Sequence, residues 1–194
     1  MIGLITSGVA QASPIGGQLW RVNDVTAQNA VPSNIPSTAP DVTFDVNSPL
    51  NFTVAGTVAQ FLQSGGAFNI AGNSTVLSGP ISPVLIQFSG LVTVTNGQTF
   101  TVTHDDGLTL LIGGATVISA PGPTGPIQTT QTYTGPSGTL PFTLVYGECC
   151  SGAAVLQISL PFEPSPNAVP EPSGLTLVAG GMLLLGLRRL IHSR

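Results

Sequence analysis

Few side chains in this sequence can do chemistry, and most of them fall in or near one stretch, "FTVTHDDGLTLLIGG", where His104, Asp105, Asp106 and Gly107 follow one another. Adjacent carboxylates repel unless a cation joins them, and their hard oxygens suit Ca²⁺, which takes roughly 6 to 8 such ligands. On spacing alone, an Asp-Asp-Gly run is usually just a solvated β-turn. His104 reads as a hydrogen-bonding residue of that turn. The only two cysteines, Cys149 and Cys150, are adjacent. In an oxidising compartment they can form a vicinal disulfide, pair between chains or stay as thiols, and they lack the Cys-x-x-Cys spacing of a redox motif. No G-x-S-x-G elbow, phosphate-cradling loop or histidine-rich metal motif occurs, which argues against a hydrolytic enzyme. Trp20 and Arg21 read as an edge packing contact, and Tyr133 as a minor glycan contact.

The elements that must position these residues read as strands. From Leu50 the pattern has period two, broken by turn signals. "LVTVTNGQTFTVTH" is two alternating runs about Asn96-Gly97, a strong hairpin signal, and "LTLLIGGATVIS" repeats the device about Gly113-Gly114. "TLPFTLVY" and "AAVLQISLP" are two more strands, separated by "GECCSG". The loop-rich stretch 120–138 holds a further strand near Ile127 to Tyr133. Residues 13–49, rich in Pro, Asn and Ser, read as an irregular lead-in with one short strand at Val42 to Val46. No helix of convincing period precedes the C-terminal tail. The expected architecture is all-β: an antiparallel sandwich or barrel over residues 50–163.

Composition narrows the function classes. Of 194 residues only 6% are charged and none is lysine, while 42% are hydrophobic, enough for a sizeable core. From Ser13 to Ser165 there are seven acidic residues and one basic residue, Arg21, a net −6. Such a body has nothing with which to neutralise phosphates, so nucleic-acid binding is set aside.

The two ends speak of export. "MIGLITSGVAQAS" is apolar or small from Ile2 to Ala10, and Ala10-Gln11-Ala12 fits the small-x-small pattern of signal peptidase cleavage. Residues 1–12 therefore read as the back half of a secretory signal. At the other end, "PSPNAVPEPS" is a Pro-rich linker over residues 164–173. An uncharged run from Leu175 to Leu187 follows, and Arg188-Arg189 ends it. Thirteen residues at about 1.5 Å each span about 20 Å, short of the roughly 30 Å hydrocarbon core. The arginines place the last residues in the cytoplasm and the body outside. Residues 174–194 thus read as a short transmembrane helix with a basic tail.

Val169-Pro170-Glu171-Pro172, the short apolar run and Arg188-Arg189 together resemble the PEP-CTERM sorting signal of exported proteins in Gram-negative bacteria that make exopolysaccharide. The resemblance implies recognition by an exosortase-type membrane peptidase, removal of the tail and delivery, through a transient inner-membrane intermediate, to the cell surface or extracellular matrix.

The body has its own resemblance. "FSGLVTVTNGQTFTVTHDDGLTLLIGGATVI", followed by "FTLVYGECCSGAAVLQISL", is similar to the PA14 family of β-sandwich modules found in toxins, glycosidases and adhesins. The match covers roughly Gln87 to Leu160. In lectin-like members two aspartates joined by a cis peptide ligate Ca²⁺ with groups from a second loop. Carried over, Asp105 and Asp106 would be that pair and Glu148, after Tyr146-Gly147, would lie in the second loop, where lectin-like members often show asparagine. A vicinal Cys149-Cys150 disulfide would stiffen that loop. The resemblance implies a non-catalytic module that binds Ca²⁺ and polysaccharide. The alternatives are a purely structural matrix or coat protein and a subunit of a carbohydrate-active enzyme.

Overall fold

In the computed structural model the described residues are 14–160, which belong to one compact unit, Ala12–Ser165. The signal segment, Val169 to Pro172, the apolar tail, Arg188 and Arg189 lie outside them. Among the described residues no helix is long and apolar enough to cross a membrane.

Eleven strands and three short helices follow in the order β1 (Ile15–Arg21), α1 (Asp24–Ala27), β2 (Val42–Val46), β3 (Asn51–Val54), α2 (Val58–Ser64), β4 (Phe68–Gly72), α3 (Ser74–Ser78), β5 (Val84–Val94), β6 (Thr99–Asp105), β7 (Leu108–Ile112), β8 (Ala115–Ala120), β9 (Ile127–Thr132), β10 (Gly138–Glu148) and β11 (Ala154–Ile158). One sheet of seven strands runs β4-β2-β1-β5-β10-β7-β8, and a second of four runs β3-β11-β6-β9. All pairings are antiparallel.

Alternation along the strands fills one core between the sheets. Leu19, Phe44, Ile86, Phe88, Leu110, Leu144 and Tyr146 come from the larger sheet, and Phe52, Val102 and Leu156 from the smaller. The ring of Phe88 meets Phe44 of its own sheet edge-on at 5.7 Å, and a tilted contact at 5.5 Å with Phe52 of the smaller sheet ties the two sheets together.

Three expectations are corrected here. The stretch 13–49 is not an irregular lead-in, because β1 lies inside the large sheet, between β2 and β5. Its alternation is hidden by Gly16-Gly17. A side chain at Gly17 would run into the ring of Phe44, so the phenylalanine fills the space the glycine leaves. Trp20 is accordingly no edge contact. It is buried in a central strand and its indole N–H donates to the Thr38 carbonyl at 3.0 Å.

The second correction concerns helices. α2 is a full element before the tail, started by a capping box in which Thr57 accepts from the Gln60 N–H and Gln60 accepts from the Thr57 N–H. It buries Val58, Phe61 and Leu62. Seven residues are too few to display a helical period, but Thr-x-x-Gln was legible.

Third, Asn96-Gly97 does not close a hairpin. β5 pairs with β1 and β10, whereas β6 pairs with β11 and β9, so the turn carries the chain from one sheet to the other. Two alternating runs about a tight turn look alike whether the strands pair or arch across a core. The Gly113-Gly114 turn does join paired strands, β7 and β8.

Candidate functional site: an acidic cluster at the sheet-crossing turns

Two further sheet-crossing turns build the site. Asp106-Gly107 links β6 of the small sheet to β7 of the large one, and residues 149–153 link β10 of the large sheet to β11 of the small one. Because β7 pairs with β10 and β6 with β11, the two turns lie side by side at one end of the sandwich.

The consequence is convergence. One carboxylate oxygen each from Asp105, Asp106 and Glu148 lie within 4.8 Å of one another. Glu148 is not in a loop but is the last residue of β10, placed there by the alternation that also turns Tyr146 inward. Residual exposure is 9% for Asp105, 6% for Asp106 and 1% for Glu148, so what access there is lies on the aspartate side. The Asp105–Asp106 peptide is cis.

Backbone donors hold the aspartate. Asp106 Oδ2 accepts the Cys149 N–H at 2.8 Å, and Asp106 Oδ1 accepts the Thr124 N–H at 3.0 Å. The loop carrying Thr124 comes this close only because residue 107 is glycine: a Cβ there would strike the Pro121 carbonyl. His104 is fully buried, its Nδ1 facing the Asp106 carbonyl oxygen at 2.6 Å and its Nε2 the Thr129 hydroxyl at 2.9 Å. A carbonyl can only accept, so Nδ1 carries the proton.

Tyr146 is the site residue that sequence reasoning did not single out. Its hydroxyl reaches both the Asp105 carbonyl and, at 2.9 Å, Glu148 Oε2. The signal was present: Tyr146 and Glu148 are two apart in a strand and so share a face.

The basic group beside the cluster is the His104 imidazole, and among the described residues no guanidinium or ammonium group faces the cluster. Among the described residues Arg21 is the one arginine and there is no lysine. Its guanidinium is engaged elsewhere, by the carbonyls of Pro80 at 2.5 Å and Pro83 at 3.3 Å. Burial, with the two neighbouring aspartates, pushes Glu148 up to about 8 against the stabilising bond from Tyr146. Burial and Asp106 raise Asp105 as well, with His104 opposing. The Tyr146 phenol is raised well above its ordinary value, chiefly by burial and then by Glu148. Sites that collect acids without a cation in this way are where a metal ion is the natural counter-charge.

Other candidates fall away from the site or beside it. Cys149 and Cys150 are bonded to each other, in the turn that follows Glu148, and Gln28 Nε2 lies 3.2 Å from Cys150 Sγ. Tyr133 is buried and its hydroxyl donates to the Pro136 carbonyl at 2.9 Å, so it offers no surface to a glycan.

Two antiparallel sheets joined by sheet-crossing turns, with acids gathered where two of those turns meet, make an antiparallel β-sandwich, and its fold resembles that of PA14 domains. Solved structures agree. The chain is similar to a PA14 sugar-binding domain from an RTX adhesin, with a TM-score of 0.56 and 21% identity over 78% of this chain and 91% of that one. It is also similar to the PA14 domain of the MpAFP antifreeze protein, with a TM-score of 0.59 and 20% identity over 83% and 88%. No protein-family model matches the sequence, and no curated protein matches it either. The fold is that of a PA14 domain.

Proposed function

We propose that this chain is an exported, non-catalytic surface or matrix protein whose body holds Ca²⁺ at Asp105, Asp106 and Glu148 and, through that ion, a polysaccharide. One observation carries the reading: three carboxylates converge, and among the described residues no arginine or lysine neutralises them. The donor set fits. Oxygens bound to one Ca²⁺ at about 2.3–2.6 Å lie no more than roughly 5 Å apart, and a span of 4.8 Å meets that limit.

Each residue has a part. Asp106, braced by two backbone N–H groups, is the fixed ligand. Asp105, the most exposed of the three, faces the incoming ion. Glu148 must release its proton, and Tyr146 stabilises the resulting carboxylate. A bound Ca²⁺ supplies coordination positions that sugar hydroxyls can fill. The PA14 sugar-binding domain from the RTX adhesin shares the fold and supports the choice of ligand class.

Delivery is proposed from sequence: residues 1–12 start export, and the Val169 to Pro172 segment with Arg188-Arg189 directs exosortase-type processing at the membrane. The decisive experiment is a pair of measurements on one preparation. Melting in EDTA against millimolar CaCl₂ tests the ion, and a glycan array probed with and without Ca²⁺ tests the ligand. Equal melting temperatures reduce the chain to a structural matrix protein.

A further inference from the structure

Sheet edges expose unpaired N–H and C=O groups, and proteins blunt them with short strands, bulges, charges, proline or a covering element. Three of the four edges here are blunted. β4 is paired through a bulge opposite Thr43 and Asp45, carries Asn69 at a φ of 51°, and has the Asp45 carboxylate bonded to the Asn69 side chain at 2.9 Å. β8 is bulged against Leu110 and Leu111. β3 is only four residues long, and the Ser64 hydroxyl at the end of α2 accepts from the Thr53 N–H at 3.1 Å.

β9 has none of these devices. Its six residues, Ile-Gln-Thr-Thr-Gln-Thr, pair with β6 in unbroken register from His104↔Ile127 to Thr99↔Thr132. They contain no charge, no proline and no glycine, and Ile127 is 44% exposed. Among the described residues nothing pairs with the outer side of the strand.

We propose that β9 is a docking edge and that its occupant is the β9 of a second copy of this chain. The chemistry of the strand selects that partner. An edge that meets its own copy sets each residue against itself or a near neighbour, so any charge would face its like, and β9 carries none. A two-fold axis through Thr130, normal to the sheet, pairs Gln128 with the partner's Thr132 and Thr129 with the partner's Gln131. Amide then meets hydroxyl on both faces. The small sheets of the two copies become one continuous eight-stranded sheet, and because the contact is isologous it closes at a dimer.

The test is sedimentation velocity of the compact unit Ala12–Ser165, without the apolar tail, from submicromolar to high micromolar concentration. The wild-type chain shifts from monomer to dimer as concentration rises. Thr130→Lys, on the solvent face, puts like charges at the axis and leaves a folded monomer at every concentration. Thr130→Glu does the same, and mixing the two variants restores the dimer. The matched change on the blunted edge, Thr53→Lys, has no effect. A wild-type chain that stays monomeric overturns the proposal, and so does association that survives Thr130→Lys or variants that fail to recombine when mixed.

Discussion

The Tyr146 hydroxyl stands 2.9 Å from Glu148 Oε2 and also reaches the Asp105 carbonyl, so one phenolic proton faces two acceptors. With Glu148 ionised only one of those bonds can be made. With Glu148 protonated, its own proton bonds the phenol oxygen while the phenol serves Asp105. A carboxyl held near 8 is protonated at neutral pH, which satisfies the pair until a cation displaces the proton.

Calcium should therefore raise stability. A ligand that binds only the folded state at a hundredfold excess over Kd contributes about 2.7 kcal/mol. For a domain of this size that is a rise of roughly 5 °C or more in melting temperature. Asp105→Asn and Asp106→Asn should abolish the calcium-dependent part, and Glu148→Gln should reduce it. His104→Ala should leave the calcium-dependent part nearly intact, because a nitrogen ligand suits this cation poorly. The check is scanning calorimetry of each variant in EDTA and in CaCl₂.

pH should act in opposite directions with and without metal. The folded Glu148 binds its proton up to about 8, whereas the unfolded chain releases it near 4.5, so across that window the native state holds more protons. Stability in EDTA should then be highest below the window and fall as pH rises through it. Calcium binding needs the carboxylate and should strengthen over the same rise. Glu148→Gln should flatten both slopes, and pH-resolved melting curves read them directly.

Tyr146→Phe should cost stability and move the titration. Losing a buried hydrogen bond and leaving its acceptors unmet costs about 1–3 kcal/mol. The same bond lowers the Glu148 value, so without it the pH midpoint of calcium binding should shift further alkaline. A drop in melting temperature with an unmoved midpoint would assign Tyr146 to packing alone.

Gly107→Ala should push the Pro121 carbonyl away and loosen the Thr124 N–H from Asp106. Calcium affinity should fall with it, while a change at an open glycine, Gly122→Ala, should leave affinity unchanged. Isothermal titration with Ca²⁺ compares the two.

Processing is testable by mass. Protein recovered from outside the cell should end near Pro170 to Ser173, and a mature chain that still carries Arg194 would remove the sorting reading. Replacing Pro170, Glu171 and Pro172 by alanine should hold the chain at the inner membrane with its body outside.

Strand character was legible wherever side chains alternate: β10 and β11 follow from their period of two, and so does the pairing of β7 with β8 about Gly113-Gly114. The Asp105-Asp106 pair was legible as a candidate because two adjacent acids in a chain with 6% charge stand out. β1 was not, since alternation is invisible across Gly16-Gly17, and α2 was too short to show a period.

What the tertiary structure decided was pairing. Local pattern reports which face of a strand is buried, but not which neighbour supplies its hydrogen bonds, and so it cannot tell a hairpin from a turn that crosses between sheets. That difference places β5 and β6 in separate sheets at Asn96-Gly97, and it brings Asp105 and Asp106 beside Glu148, more than forty residues away in the chain. The site exists because two crossings meet at one end of the sandwich, and only the packing of the sheets can make them meet.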